Sequence, residues 1–475
     1  MDRSDPPAGR KIRHGFVSAA IAGGGGAWYA DGTMSSTLAP AAAKLALLGG
    51  TPVGKITYPK FPTFTDRAIE RAADMLRQGK LFGLGRKHVP EIGEAEGVIS
   101  RYHGNRHILA TSSGHAALQS ALAGLEICCG DEVITTPYTW GASISCILHQ
   151  NAIPIFVDIE RETGLIDPAQ IEAAITPRTK AILAVHLFGQ PANLKRLRAI
   201  ADKHKIMLIE DGSQAHGAEI GGVRVGTVGD AAGFSCMGGK VLATTESGYM
   251  VTPHERVYWK GAMIGQHMGR STDEGMPDDL KPYLDSLVYT YRVAPFNAVL
   301  LTEQFAKLDA ELAERRRHAD LLRSHLAGAK YLKLPNYAAG TKPSYHLMSF
   351  TFDSDAAGIS RDTFAAALQA EGLRAVGYVP SVISDWKRLH WQDYRGPRVN
   401  WLSALEAAKV DYRNQALPNA RWRVDHALET GFDMVAPNEP MIARMAEIIL
   451  KVEANVDALR DHERTAGPAA PAVRK

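Results

Sequence analysis

The chain has 475 residues, 45% of them hydrophobic and 22% charged, an ordinary globular composition with enough length for two domains and a large core. Its net charge of +3 is too small for this length to indicate nucleic acid, and the sequence has no basic stripe interleaved with aromatics. Cys128, Cys129, Cys146 and Cys236 follow neither metal nor disulfide spacing, which favours a reducing compartment, and no apolar run is long enough to span a membrane.

The first 43 residues stand apart. A basic run, Arg10-Lys11-Ile12-Arg13-His14, precedes a small and apolar stretch from Phe16 to Trp28 that contains Gly23 to Gly26. This is similar to a secretory or twin-arginine leader, but Arg-Lys replaces the arginine pair and Trp28-Tyr29-Ala30 is no small-x-small cleavage site. A disordered extension, or a true start at Met34, ranks above export, so the expected location is the cytoplasm.

Helical and strand periods then alternate. Asp66 to Gln78 predicts a helix with Ile69, Ala72, Ala73 and Leu76 on its apolar face, and Glu94 to Tyr102 a second. A short strand at Ile108 runs through Ser112-Ser113-Gly114 into a helix from His115 to Leu125. Strands follow from Asp131, over Ile153 to Val157, Thr179 to Val185, Ile206 to Ile209 and Ala231 to Phe234, separated by helices over 143–150, 171–175 and 194–204. Such βαβ units predict a largely parallel sheet, and ligands bind these sheets at the carboxyl ends of the strands. Ser113, Trp140, His186, Asp211 and Ser235 all fall at or just after such ends. A single long helix is predicted over 299–326, a strand over 345–352, a helix over 361–371 and a last helix over 440–458. The expected organisation is an N-terminal extension (1–43), a large α/β domain (44–329), a smaller α+β domain (330–460) and an unstructured tail (461–475).

Residues 207–250 carry the most chemistry. An apolar strand ends in Glu210-Asp211, and a second ends in Ser235 with Lys240 five residues beyond it. Either residue alone is usually just solvated. Together, a carboxylate closing one buried strand and a lysine just after another match the needs of pyridoxal phosphate. The lysine forms the Schiff base, and the carboxylate keeps the pyridine nitrogen protonated.

The ordered set of GDEVITTPYTWGASISCILHQNAIPIFVDI, VHLFGQPANLKRL, IEDGSQAHGA, GDAAGFSCMGGKVLATTESG and YTYRVAPFNAVLLTEQFAKLD resembles the DegT/StrS-type aminotransferases, the sugar and cyclitol branch of the fold-type-I pyridoxal phosphate enzymes, over roughly 44–452. The resemblance implies a large domain with a mostly parallel sheet flanked by helices, a smaller C-terminal α+β domain, and a homodimer with shared active sites and no nucleic-acid or membrane partner. It implies that Lys240 is the Schiff-base lysine and proton carrier, and that Asp211 pairs with the pyridinium. Gln214 would sit by the phenolic oxygen or hold the lysine face, and Trp140 would stack on the ring. Ser113, Gly114, His115 and Ser235 would bind the cofactor at its phosphate end, and His216 would lie in the substrate mouth. No metal is implied. The family usually has threonine where His115 stands; the backbone amide can still bind phosphate, the hydroxyl contact is lost, and an imidazolium there could replace it. Its Asn-Tyr-Arg element is Thr290-Tyr291-Arg292 here. The shorter threonine leaves the contact to the neighbouring subunit's phosphate open, with Arg292 still available. The expected activity is ping-pong amino transfer from L-glutamate or L-glutamine to a keto sugar, a keto cyclitol or a related biosynthetic ketone. The alternatives are a dehydrating, aromatising enzyme of the aminobenzoate-synthase type and a non-catalytic regulator.

Overall fold

The computed structural model describes residues 43–79, 82, 85–271, 275–397 and 399–470, so the expectations for 1–42 lie outside the described residues. Seven strands form the central sheet: His107–Thr111 (β1), Glu132–Thr135 (β2), Ile153–Phe156 (β3), Thr179–Val185 (β4), Met207–Asp211 (β5), Ala231–Ser235 (β6) and Gly248–Thr252 (β7). Their spatial order is β1-β7-β6-β5-β4-β2-β3. β7 runs antiparallel to both neighbours, while the other six strands share one direction. This reversal was not expected, because Gly248–Thr252 is buried on both faces and has no alternation to mark it.

Sharp turns bring the strand ends together. β1 enters the helix Gly114–Gly124, whose N-cap Ser113 accepts a hydrogen bond from the Ala116 amide through its hydroxyl at 3.1 Å. Gly114 is required there, since a Cβ would lie 2.4 Å from that of Ser235. β2 leads to the helix Ala142–His149. After β4 the chain turns through Phe188, at φ 58°, and Gly189.

A second core surrounds the antiparallel sheet of Leu332–Lys333 (β8), Leu347–Phe352 (β9) and Ala427–Gly431 (β10). Leu45 and Ile56 also belong to this core. Glu371 anchors their segment by accepting the Ala46 and Val53 amides at 2.8 and 3.0 Å, and it pairs with Lys451 at 2.8 Å.

Four local expectations are corrected. The first helix, Asp66–Arg77, buries Ala68 and Met75, while Ile69 and Leu76 face solvent. The predicted helix over 299–326 is two helices, Pro295–Phe305 and Leu308–His325, because the chain bends at Ala306-Lys307 and Lys307 donates to the Thr63 carbonyl at 2.6 Å. The last predicted helix is also two, Glu439–Ala454 and Val456–Ala466. The second of these enters the supposed unstructured tail. Buried Leu459 holds it, as does Glu463, which accepts the Ser360 amide at 3.0 Å.

Candidate active site

The carboxyl ends of β1, β5 and β6 and the turn after β2 open into one cavity of about 480 Å³. Ser113, Gly114, His115, Trp140, Asp211, Gln214, Ser235 and Lys240 all line it. Asp211, the last residue of β5, is buried, and both of its oxygens are engaged. The Ser143 hydroxyl donates to Oδ2 at 2.6 Å and the Ser213 amide to Oδ1 at 3.0 Å. Thr139 meets the same Ser143 hydroxyl at 3.1 Å, so a hydroxyl chain orients the carboxylate.

Lys240 sits, largely buried, in the loop between β6 and β7. Its amide donates to the Met237 carbonyl at 2.8 Å. The helix Pro295–Phe305 pins the far side of the loop. Asn297 donates to the Glu246 carbonyl at 2.7 Å and accepts the Thr245 hydroxyl at 2.8 Å, and Gln304 donates to the Ala243 carbonyl at 2.7 Å. The lysine is therefore carried on a braced segment, which lowers the cost of orienting it. Across the cavity, Trp140 is 56% exposed and leaves a broad indole surface open, its ring 5.9 Å from that of Tyr378. Both ends of the Gln214 amide are used. Its oxygen accepts the Phe188 amide at 2.7 Å and its nitrogen donates to the Tyr378 hydroxyl at 3.2 Å. Gln214 thus braces the left-handed Phe188 turn from the cavity wall.

One expectation is corrected here. His216 does not lie in a substrate mouth. It is buried among Phe234, Tyr249 and Cys236, outside the cavity lining, where burial and then the Lys240 and His103 charges lower its pKa to about 3. At His115, with no anion in the cavity, burial, reinforced by His149, lowers the pKa to about 4. Thr290 and Arg292 do not line this chain's own cavity. Thr290 is exposed, and the backbone of Arg292 bridges Thr111 at the end of β1. His186 also turns away. Its Nδ1 accepts the Ala192 amide at 2.9 Å, which places the proton on Nε2 and directs it to Glu210 at 3.1 Å.

Sequence reasoning passed over Ser143, Thr139, Tyr378, Asn297, Gln304 and Glu246. Ser143 carried a local signal, being the second residue of the helix that starts at the cavity. Thr139 adjoins Trp140 and Glu246 shares the loop of Lys240, while Tyr378, Asn297 and Gln304 arrive from distant segments. At Glu246, burial pushes the carboxyl up against the opposing pull of Lys240.

The mostly parallel sheet, with a lysine and a hydrogen-bonded carboxylate sharing one cavity at its strand ends, has the fold of the fold-type-I pyridoxal phosphate enzymes. The profile of the DegT/DnrJ/EryC1/StrS aminotransferase family matches residues 63–394, and the chain belongs to this family. Its cofactor is pyridoxal 5'-phosphate. The chain is 35% identical over 433 residues to a Streptoalloteichus tenebrarius protein provisionally named L-glutamine:3-amino-2,3-dideoxy-scyllo-inosose aminotransferase, covering 88% of this chain and 99% of that one. It is 36% identical over 340 residues to the L-glutamine:2-deoxy-scyllo-inosose aminotransferase of the same organism, covering 69% and 78%. The X-ray structure of an aminotransferase from Psychrobacter cryohalolentis superimposes with a TM-score of 0.73 at 25% identity, covering 84% of this chain and 100% of that one. Among the described residues no helix is long and apolar enough to cross a membrane.

Proposed function

We propose that this enzyme moves the α-amino group of L-glutamine to a keto cyclitol of the scyllo-inosose class in two half-reactions. The observation that carries the reading is the meeting of Lys240 and Asp211 in one cavity, in a chain 35% and 36% identical to two enzymes named for glutamine-dependent inosose amination. Bound pyridoxal phosphate supplies the electron sink that makes the nitrogen-bearing carbon acidic. Lys240 Nζ would hold the cofactor at its aldehyde and would serve as the group that moves the proton at the nitrogen-bearing carbon. Asp211 holds the proton on the pyridine nitrogen, oriented by Ser143 and Ser213. Trp140 offers its open face to the ring. Ser113, Ser235 and the backbone amides of Gly114 and His115 receive the phosphate at the start of the helix Gly114–Gly124, where unpaired N–H groups and the dipole favour an anion. Gln214 acts through the Phe188 turn and Tyr378. His216 backs the lysine loop as a neutral group.

The working unit in this reading is a homodimer. The segment leading to Arg292 exposes Tyr283 at 70% and Leu287 at 90%, apolar surface that a second copy would cover. Arg292 would then serve a carboxylate in the partner's cavity.

L-glutamine labelled with ¹⁵N at the α-amino position, incubated with the holoenzyme and 2-deoxy-scyllo-inosose, is expected to yield a ¹⁵N-aminocyclitol by mass spectrometry. Loss of water from the acceptor without label transfer would establish the dehydrating alternative. Absence of any reaction with glutamine, glutamate or inososes would overturn the substrate assignment.

A further inference from the structure

His115 and His149 form a contact that the amino-transfer chemistry does not use. His115, on the first turn of the helix Gly114–Gly124, places Nε2 2.9 Å from His149 Nδ1 on the helix Ala142–His149. The rings meet edge to face at 4.8 Å. The other edge of His115 faces the Ser145 hydroxyl at 3.3 Å and the Ala142 carbonyl, and Gln119 of its own helix also reaches the ring. His115 lines the cofactor cavity, while His149 lines the hollow on the far side with Tyr289, Tyr291 and Trp401. The pair therefore spans the wall between cavity and exterior.

The charge around it is sparse. Lys240 is the one cationic side chain among the described residues lining the cavity, and it is committed to the aldehyde end; Asp211 and Glu246 are acidic. Tyr291 donates its hydroxyl to Gln119, and Arg388 shares with His149 a third, mainly apolar hollow. A phosphate at the start of the Gly114–Gly124 helix thus meets backbone dipoles but no arginine or lysine of this chain dedicated to it. A protonated side chain beside the helix start would add a charge-assisted attraction to that of the dipoles.

We propose that the His115–His149 pair supplies the missing charge by taking up one proton from solvent when the cofactor phosphate binds, with His149 positioning His115. The protonated pair has a partner for each inner N–H: His115 Nδ1–H faces the Ala142 carbonyl and Ser145, and Nε2–H faces His149 Nδ1. His149 is exposed and lines the outer hollow, from which the proton arrives. Without an anion the pair is neutral, because burial lowers both imidazoles. A phosphate dianion beside the ring favours its charged form and raises the imidazole back toward its ordinary value. The inference rests on the phosphate placement proposed above.

The test measures the dissociation constant of pyridoxal 5'-phosphate from pH 8 to pH 6 for wild type, His115→Thr, His149→Asn and Ser235→Ala, together with ¹⁵N-imidazole spectra of the holoenzyme. Wild type should gain about tenfold more affinity over this span than His115→Thr. His149→Asn, which keeps an acceptor but cannot titrate, should fall between them. The holoenzyme should show imidazolium signals that vanish in His115→Thr. Equal pH dependence in wild type and His115→Thr, with neutral imidazoles and with Ser235→Ala weakening binding, would overturn proton uptake and leave the phosphate placement standing. Unchanged affinity in both Ser235→Ala and His115→Thr at every pH would overturn the placement and the inference with it.

Discussion

The two faces of β5 carry adjacent carboxylates with opposite surroundings. Glu210 points into the packed layer away from the cavity, where it is fully buried and meets His186 at 3.1 Å and the amides of Gly226, Val228 and Gly229 at 2.7 to 2.9 Å. Asp211 points into the cavity, where a serine hydroxyl and one amide orient it but leave its open side to a ligand. Successive side chains of a strand alternate between faces, so one residue of register separates a structural carboxylate from a chemical one. A carboxylate that the protein saturates holds loops in place. One that it only orients is available for chemistry.

Substitutions on the two faces should therefore fail differently. The largest effect is expected at the cavity. Lys240→Ala should abolish steady-state amino transfer while circular dichroism and thermal midpoint stay near wild type, and measurable turnover by this variant would remove Lys240 from the mechanism. Asp211→Asn follows, with a rate loss on the order of a hundredfold or more in both half-reactions, measured by rapid mixing, and with cofactor still bound. Near-normal rates would show that the cavity carboxylate is no more chemical than its neighbour.

Glu210→Gln should invert this pattern, keeping the chemistry but losing about 2–4 kcal/mol of stability in urea unfolding, because a buried, multiply bonded charge is replaced by a group that cannot satisfy the same donors. The pH dependence sharpens the contrast. Burial raises the Glu210 carboxyl, but His186 and the Gly226 and Gly229 amides outweigh it and hold the pKa below the usual value. The folded state then binds fewer protons there than the unfolded state. The contribution is complete above the ordinary carboxylate pKa of about 4.3 and is lost as pH falls through the lower folded value. Glu210→Gln should lack this acid-side loss, and an unchanged acid slope would show that other groups carry it. The smallest effect belongs to Gln214→Ala, about 1–2 kcal/mol from an unpaired Phe188 amide, read as a lower thermal midpoint with both half-reactions preserved.

The succession of strands in a largely parallel sheet, and the location of Lys240 and Asp211 at strand ends, were legible in the sequence. Both rest on local patterns: an apolar run ending in a polar residue, and turns that return the chain to the same edge of the sheet. The family motifs made the cofactor legible as well. The reversed direction of β7 was not, because a strand buried on both faces reads the same whichever way it runs. Nor were the breaks at Ala306 and Asn455, since neither has a glycine or proline to mark it. At the site, His216 lies two residues beyond Gln214, yet it turned out to be core, while Tyr378 and Asn297 lie far along the chain and proved to brace the cavity. The sequence by itself determined which chemistry the chain carries, because covalent reactivity belongs to residue types at fixed spacing. The tertiary structure alone decided which side chains surround that chemistry, including the His115–His149 contact, because burial and charge come from segments that only folding brings together.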